Sequence, residues 1–261
     1  MMRHFDNELR DLKSSLLAMA GQVEEMIILT QETLLERSNP KAERISLLDK
    51  QVDEHELKLD QTCIDLLALR APYASDLRLI ASTLKIAPSL ERIGDHCCNI
   101  ARRALILNPQ PPVLKNDLLK RLGAETHSMI RRAVDAFVNG DAALARAVIL
   151  DDDHVDALYV QIYTELLRGM LADPLCIERS SHLIIVIKNW ERIADIATNV
   201  AEEVLFILEG VNVKHRYLQA PPQGLTPAPT LETRCPTCCF WKTTPTSAWA
   251  LNSTSSGKVS P

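Results

Sequence analysis

Apolar side chains recur along most of this chain at intervals of three and four residues, the spacing of one face of an α-helix. The first such segment spans about residues 5–36, and the pattern continues to Gly210 with interruptions only at helix breakers. We therefore predict that the chain is helical throughout this region. The repeating apolar positions of the first segment are Leu9, Leu12, Leu16, Met19, Val23, Met26, Ile27 and Leu34.

Helix breakers divide the pattern into two sets of three helices. Asp141 and Asp173 each follow a predicted helix and precede the next, so we expect both to be N-caps. Because the connections are short, consecutive helices should lie side by side and antiparallel. The predicted breaks are 38–40, 71–72 and 108–112 in the first set, and 140–141, 173–174 and Gly210 in the second.

This organisation predicts an all-α fold of two tandem antiparallel three-helix bundles related by internal duplication. The first bundle would span residues 1–108 and the second residues 109–216. A hydrophobic content of 46% is sufficient for a core, and the low aromatic content of 4% favours helix packing over sheets. The prediction of two bundles rests on the breaks and on the repeated motif described below.

The net charge of -5 makes this a mildly acidic chain. Nucleic-acid binding relies on Lys and Arg that neutralise phosphates, so the charge argues against it and leaves divalent cations or basic protein surfaces as partners. The charged start of the chain does not resemble a signal peptide, and no apolar run is long enough to span a bilayer. We expect a cytoplasmic protein.

A motif over residues 91–101 recurs over residues 191–201, and both copies set Glu, Asp and Asn four residues apart. On a helix this spacing stacks three oxygen-bearing side chains along one stripe. The stripe lies roughly opposite the apolar face in each copy. For one acidic pair alone, a solvated polar face is the simpler interpretation, and it stays open for both copies at this point.

The middle helix of each set carries an acidic pair of its own, Asp49 with Asp53 and Asp152 with Asp156. Like charges four residues apart destabilise a helix by about 0.2–0.5 kcal/mol, so a compensating cation is expected. If the middle and last helices are neighbours, two acidic pairs face each other across a groove. Carboxylate oxygens are the hard ligands that Mg²⁺, Mn²⁺ and iron prefer. The sequence therefore predicts a multinuclear metal site in each half.

Four stretches together resemble the PhoU family of phosphate-uptake regulators, over about residues 1–216. They are residues 4–9, residues 72–78, the motif at 91–101 and its second copy at 191–201. The resemblance implies two three-helix bundles with multinuclear metal sites on paired acidic motifs. By position, the implied metal ligands are Asp49, Asp53, Glu91 and Asp95 in the first half, and Asp152, Asp156, Glu191 and Asp195 in the second.

The resemblance also implies a function. Members of the family are cytoplasmic, often dimeric adaptors that repress the phosphate-starvation response. They engage a sensor histidine kinase and the ATPase subunit of the phosphate ABC transporter. We therefore expect a negative regulator of phosphate uptake that binds metal, forms a homodimer and is not an enzyme, since the sequence has no Gly-rich phosphate loop and no recognisable nucleophile and base pair.

Two alternative functions stay open. The chain could be a metal-binding or purely structural helical adaptor without phosphate signalling. A carboxylate-bridged di-metal enzyme is the weaker alternative, because such sites need Glu-x-x-His and no Glu stands three residues before any His.

The second half departs from the family pattern. Ala194 and Ile196 replace the usual Gly and His of the motif. In the first half the acidic row of the middle helix continues at Glu56 and Asp60, whereas the matching places in the second half are Tyr residues, at 159 and 163. We therefore expect the second site to be weaker or to hold fewer ions.

Three other residues near the first motif receive a structural interpretation. Pro88 lies inside the third helix, where it removes a backbone donor and should bend the helix. His96 points about 100° away from Asp95 around the helix, so we interpret it as a surface or packing residue. Asn99, like its counterpart Asn199, is expected to support the ligands rather than to bind metal directly.

The tail, residues 217–261, is rich in Pro, Ser and Thr, and we expect it to be disordered. Its cysteines, Cys235, Cys238 and Cys239, form a C-x-x-C-C cluster. Without a second ligand pair this cluster is a weak zinc signal, so we interpret its members as exposed thiols without an assigned role.

Overall fold

The computed structural model describes residues 2–210, with side chains from Phe5 onward. This region consists of six α-helices, and one short 3₁₀ turn, Pro174–Cys176, precedes the last of them. The prediction of an all-α fold with an internal repeat is confirmed. The predictions for the tail and for Cys235, Cys238 and Cys239 lie outside the described residues. The helices are α1 Met2–Leu35, α2 Asn39–Arg70, α3 Ala74–Leu107, α4 Asn116–Asn139, α5 Ala142–Ala172 and α6 Ile177–Glu209.

The turns use the residues that the sequence indicated. Asp141 accepts a hydrogen bond from the backbone N–H of Leu144 at 2.9 Å and caps α5. Asp173 accepts one from the N–H of Leu175 at 3.0 Å and caps the 3₁₀ turn. Helix α3 continues without interruption through Pro88, so the proline does not divide it. These contacts satisfy backbone donors that would otherwise lack partners.

The six helices form two three-helix bundles that share one apolar core. Within each bundle every helix contacts the other two, and the bundles are joined by α3 against α6 and by α1 against α4. Helices α2 and α5 lie on the two outer sides, since each contacts only helices of its own bundle in the described region. The core runs through both bundles. The predicted division into residues 1–108 and 109–216 therefore stays a prediction.

Helices α3 and α6 run antiparallel, with polar contacts near both ends of their interface. At one end the carboxylate of Glu203, which is only 5% exposed, accepts hydrogen bonds from Ser82 Oγ at 3.3 Å and Lys85 Nζ at 3.2 Å. At the other end a guanidinium nitrogen of Arg103 lies 3.3 Å from His182 Nδ1. Because this carboxylate is buried, its partners on α3 supply the hydrogen bonds that water would otherwise provide.

Trp190 is fully buried and links the two bundles through α1. Its Nε1 donates a hydrogen bond to Thr30 Oγ1 at 3.1 Å, and Thr30 Oγ1 in turn donates to the carbonyl of Ile27 at 2.7 Å. A buried indole N–H that loses its acceptor has no access to water. Thr30 therefore orients the largest side chain in the core.

We predict that Thr30→Val lowers the free energy of unfolding by about 1–3 kcal/mol, because it leaves the Trp190 N–H unpaired without changing the side-chain volume much. Urea denaturation followed by circular dichroism measures this loss. Thr62→Val is the matched control, since Thr62 is exposed on α2 and its hydroxyl contacts only its own helix. Equal losses in the two variants would contradict the role assigned to Thr30.

Candidate functional site

The first acidic cluster consists of Asp49 and Asp53 on α2 and Glu91 and Asp95 on α3. Burial raises the pKa of Glu91 above its usual range, and the charges of Asp95, Asp53, Glu56 and Asp49 raise it further. Burial also raises the pKa of Asp49, to which the charges of Asp53 and Asp95 add. The packing of α2 on α3 therefore brings these carboxylates within electrostatic reach of one another, as the sequence predicted.

Two residues of α3 allow Asp49 to approach so closely. Asp49 Oδ1 lies 3.0 Å from the position that a Cβ atom would occupy at Gly94, so a side chain at this position would crowd the carboxylate. The thiol of Cys98 donates a hydrogen bond to Asp49, which lowers the pKa of the carboxyl group. Burial raises the pKa of Cys98 itself to about 12, so the thiol keeps its proton at neutral pH.

The second acidic cluster consists of Asp152 and Asp156 on α5 and Glu191 and Asp195 on α6. Burial raises the pKa of Asp152 to about 6, and the charges of Asp195, Asp156, Asp153 and Glu191 contribute further. Burial likewise raises the pKa of Asp195 to about 6, with Glu191 and Asp156 as the main charges. The second half therefore repeats the convergence of four carboxylates between an outer and a central helix.

A lysine accompanies the second cluster, and the sequence analysis missed it. Lys188 Nζ lies 2.6 Å from Glu191 Oε1 and 5.2 Å from the ring centroid of Tyr159. Tyr163 stacks on Tyr159, with 6.0 Å between ring centroids. The only sequence signal was a Lys three residues before Glu191, which is a common surface pairing on helices. The contact of Lys188 with the Tyr159 ring gives no sequence signal, because it forms only when α5 packs on α6.

The donor atoms of both clusters suit a hard metal ion. The ligands that the sequence implied are all carboxylates, and Glu191 Oε2 is a buried acceptor without a hydrogen-bond donor in the described region. Across residues 2–210, however, no three His, Cys, Asp or Glu side chains already stand in a metal-binding arrangement. The carboxylates of each cluster interact through their charges, and binding an ion would require their side chains to rearrange.

His96 has the packing role that the sequence indicated. His96 Nδ1 lies 2.9 Å from Asn189 Oδ1 at the interface of α3 and α6. Burial lowers the pKa of His96, and the hydrogen bond with Asn189 acts in the opposite direction. His96 therefore packs between the bundles. The four cysteines of the described region, Cys63, Cys97, Cys98 and Cys176, are buried free thiols.

Within residues 2–210, no helix combines the length and apolar character that crossing a membrane requires.

The chain matches known proteins over its helical region. A family model described as the PhoU domain matches twice, at residues 16–104 and 119–204. A relative from Pseudomonas aeruginosa, named phosphate-specific transport system accessory protein PhoU homolog, is 36% identical over 214 residues, which are 82% of this chain and 88% of the relative. A homolog of the same name from Aquifex aeolicus is 38% identical over 81% of this chain and 96% of its own length.

Solved structures agree with these matches. The crystal structure of PhoU from Pseudomonas aeruginosa is similar with a TM-score of 0.77 and 36% identity, covering 79% of this chain and 100% of that structure. The phosphate transport system regulatory protein PhoU from Streptococcus pneumoniae is similar with a TM-score of 0.74 and 30% identity, covering 80% and 99%. The two matched domains correspond to the two three-helix bundles.

The raised pKa values predict how stability depends on pH in metal-free protein. The pKa of Asp152 is about 6 in the folded state and 3.8 ordinarily, so the folded state binds the proton more tightly than the unfolded state. Ionisation of Asp152 therefore costs stability, and the free energy of unfolding should fall as the pH rises from about 4 to about 7.

We predict that Asp152→Asn raises the melting temperature of the chelator-treated protein at pH 7 by about 2–4 °C, which corresponds to about 1 kcal/mol. The gain should vanish below about pH 4, where the wild-type carboxyl group is protonated in both states. Thermal melts across this pH range measure it, with Asp65→Asn on the exposed side of α2 as the control. A lower melting temperature of Asp152→Asn at pH 7 would contradict the repulsion inferred here.

Proposed function

The chain belongs to the PhoU family, and from this premise we propose that it is an accessory protein of phosphate-specific transport that acts as a negative regulator of phosphate uptake and of the phosphate-starvation response. The observation that carries the proposal is the double match to the PhoU domain, together with curated relatives that are matched over most of their length. Those relatives are named as accessory proteins of phosphate-specific transport.

Metal binding is part of this proposal. In the first half, Asp49 and Asp53 from α2 and Glu91 and Asp95 from α3 would hold one or more ions of Mg²⁺, Mn²⁺ or iron. A bound ion would supply the positive charge that offsets the repulsion among these carboxylates. Because these residues lie on two helices, a bound ion would link the outer helix α2 to the central helix α3. Helix α3 also packs against α6 at the interface between the bundles.

We propose that the protein acts by contact and not by catalysis. Its partners would be the ATPase subunit of the phosphate ABC transporter and a sensor histidine kinase, in the cytoplasm and as a homodimer. Large apolar side chains at the α2–α3 and α5–α6 turns offer contact points for proteins, since Tyr73 is 86% exposed and Leu175 is 87% exposed.

A complementation experiment tests the regulatory function. In a Pseudomonas aeruginosa strain that lacks its own PhoU homolog, a reporter of the phosphate-starvation response should be derepressed in high phosphate. We predict that expression of this chain restores repression to at least half of the level given by that strain's own homolog. Immunoblotting controls for expression.

Failure to repress the reporter, by a chain that is folded and present at normal level, would contradict the regulatory proposal. The chain would then be better described as a metal-binding or structural helical adaptor. The Tyr73→Ser and Leu175→Ser variants test the turns as contact points. If these turns bind partners, the variants should lose repression without losing thermal stability.

Metal content is tested separately on the purified protein. We predict that Glu91→Ala combined with Asp95→Ala lowers the affinity for Mn²⁺ by about 10–100-fold or more, because both changes remove carboxylate ligands. Equilibrium dialysis with elemental analysis measures bound metal. An Asp60→Ala variant, which removes an acid one turn beyond Glu56, serves as the control. Unchanged metal content in the double variant would contradict the proposed ligands.

A further inference from the structure

The two acidic clusters have equivalent carboxylates but different surroundings. Three residues before the motif glutamate, α6 carries Lys188 where α3 carries Pro88. At the place of Glu56 on α2, helix α5 carries Tyr159. The second half therefore has an aromatic ring in place of one acid and a lysine in place of a proline, although Asp153 on α5 also stands where α2 carries Lys50. Lys188 and Tyr159 also contact each other, so the two differences occur at the same place beside the cluster.

Two contacts hold the ammonium group of Lys188 at the second cluster. Its Nζ lies 2.6 Å from Glu191 Oε1, and the same atom lies 5.2 Å from the Tyr159 ring centroid. The Glu191 side chain is only 12% exposed, so this ion pair is partly shielded from water. A cation over an aromatic ring is stabilised by the ring's negative face. Lys188 is thus fixed by residues of both α5 and α6.

The position of Lys188 lets it act on more than one carboxylate. Besides its ion pair with Glu191, the ammonium group lies within electrostatic reach of Asp156 and of Asp195. Both of these carboxylates belong to the second cluster. The ammonium group therefore offsets part of the negative charge on three of the four carboxylates of this cluster, while Asp152 lies outside its reach.

The first cluster has no such residue. Among the ion pairs of residues 5–210, none joins a Lys or Arg to Asp49, Asp53, Glu91 or Asp95. Arg102 acts on Asp49 only from beyond ion-pair distance, while Glu56 adds a further negative charge within electrostatic reach of Glu91. No cationic side chain of the described region therefore contacts this cluster directly, and that contact is left for an external cation to make.

The two motifs also differ at the position of Gly94. Gly94 leaves room for Asp49 Oδ1, which lies 3.0 Å from the position of a Cβ atom there. At the equivalent place in the second motif stands Ala194, which is fully buried and carries a methyl group where Gly94 has none. This difference is independent of Lys188.

We propose that the two clusters take different cations: the first binds divalent metal ions, whereas in the second the ammonium group of Lys188 stands in the place of a metal ion. Bound metal is then concentrated in the first half of the chain. This inference deepens the metal binding of the proposed function and rests on it for the first cluster. The assignment of Lys188 to the second cluster stands on its own contacts.

Calorimetric titration of the full chain with Mn²⁺ tests the assignment. Asp49→Asn with Asp95→Asn should weaken Mn²⁺ binding by about 10–100-fold or abolish it, because ligands are lost. Asp152→Asn with Asp195→Asn should leave the binding isotherm unchanged. Lys188→Met keeps the unbranched stem that packs on Tyr159 but removes the charge, and it should add a second set of Mn²⁺ sites. Lys120→Met, on an exposed position of α4, is the matched control.

A second readout does not depend on metal binding by the wild-type chain. In chelator, Lys188→Met should lower the melting temperature, and excess Mn²⁺ should restore it. Lys188→Arg, which keeps the charge, should melt close to wild type. These measurements also show whether Lys188→Met folds, and a variant that folds only when Mn²⁺ is present supports the proposal.

The outcomes separate this inference from the proposed function. If each double variant removes half of the bound Mn²⁺, the inference is overturned and metal binding stands. If the wild-type chain binds no Mn²⁺ but Lys188→Met is unstable and is rescued by Mn²⁺, the metal part of the proposed function fails and the role of Lys188 stands. If Lys188→Met neither loses stability in chelator nor binds additional Mn²⁺, the inference is overturned.

Discussion

The packing of the core holds carboxylates of neighbouring helices close together. Their mutual repulsion is the constraint on which this structure depends. Val52 on α2 and Ile93 on α3 are fully buried beside the acidic positions. Burial of each such side chain contributes about 1.5–3 kcal/mol, whereas a like-charge pair on a helix costs about 0.2–0.5 kcal/mol. The apolar contacts therefore hold the two helices together, and the carboxylates stay close enough for a bound cation to offset their repulsion.

The order of the helices extends this constraint to the whole molecule. Helices α3 and α6 each carry an acidic motif toward their own outer helix and pack against each other on another side. Anything that changes the packing of α2 on α3 therefore acts on a helix that also joins the bundles. The buried carboxylate of Glu203, bonded to Ser82 and Lys85, makes that junction specific.

Much of this architecture could be predicted from the sequence, because helical periodicity and helix breakers are local signals. The helix ends, the Asp141 cap and the convergence of the acidic pairs all follow from spacing. The role of Glu203 does not, since it is one of two adjacent glutamates in an otherwise apolar stretch, and its partners Ser82 and Lys85 lie on another helix. Lys188 was missed for a similar reason, because its ring contact comes from Tyr159 on another helix.

Crystals soaked in Mn²⁺ give the most direct test of the claim that opposed carboxylates hold a cation, because anomalous scattering locates the ion itself. The account predicts an anomalous peak between α2 and α3, coordinated by carboxylate oxygens of Asp49, Asp53, Glu91 and Asp95, and Lys188 Nζ in contact with Glu191 at the second cluster. The account would be contradicted if neither cluster showed a peak and the carboxylates of both clusters were turned apart into solvent.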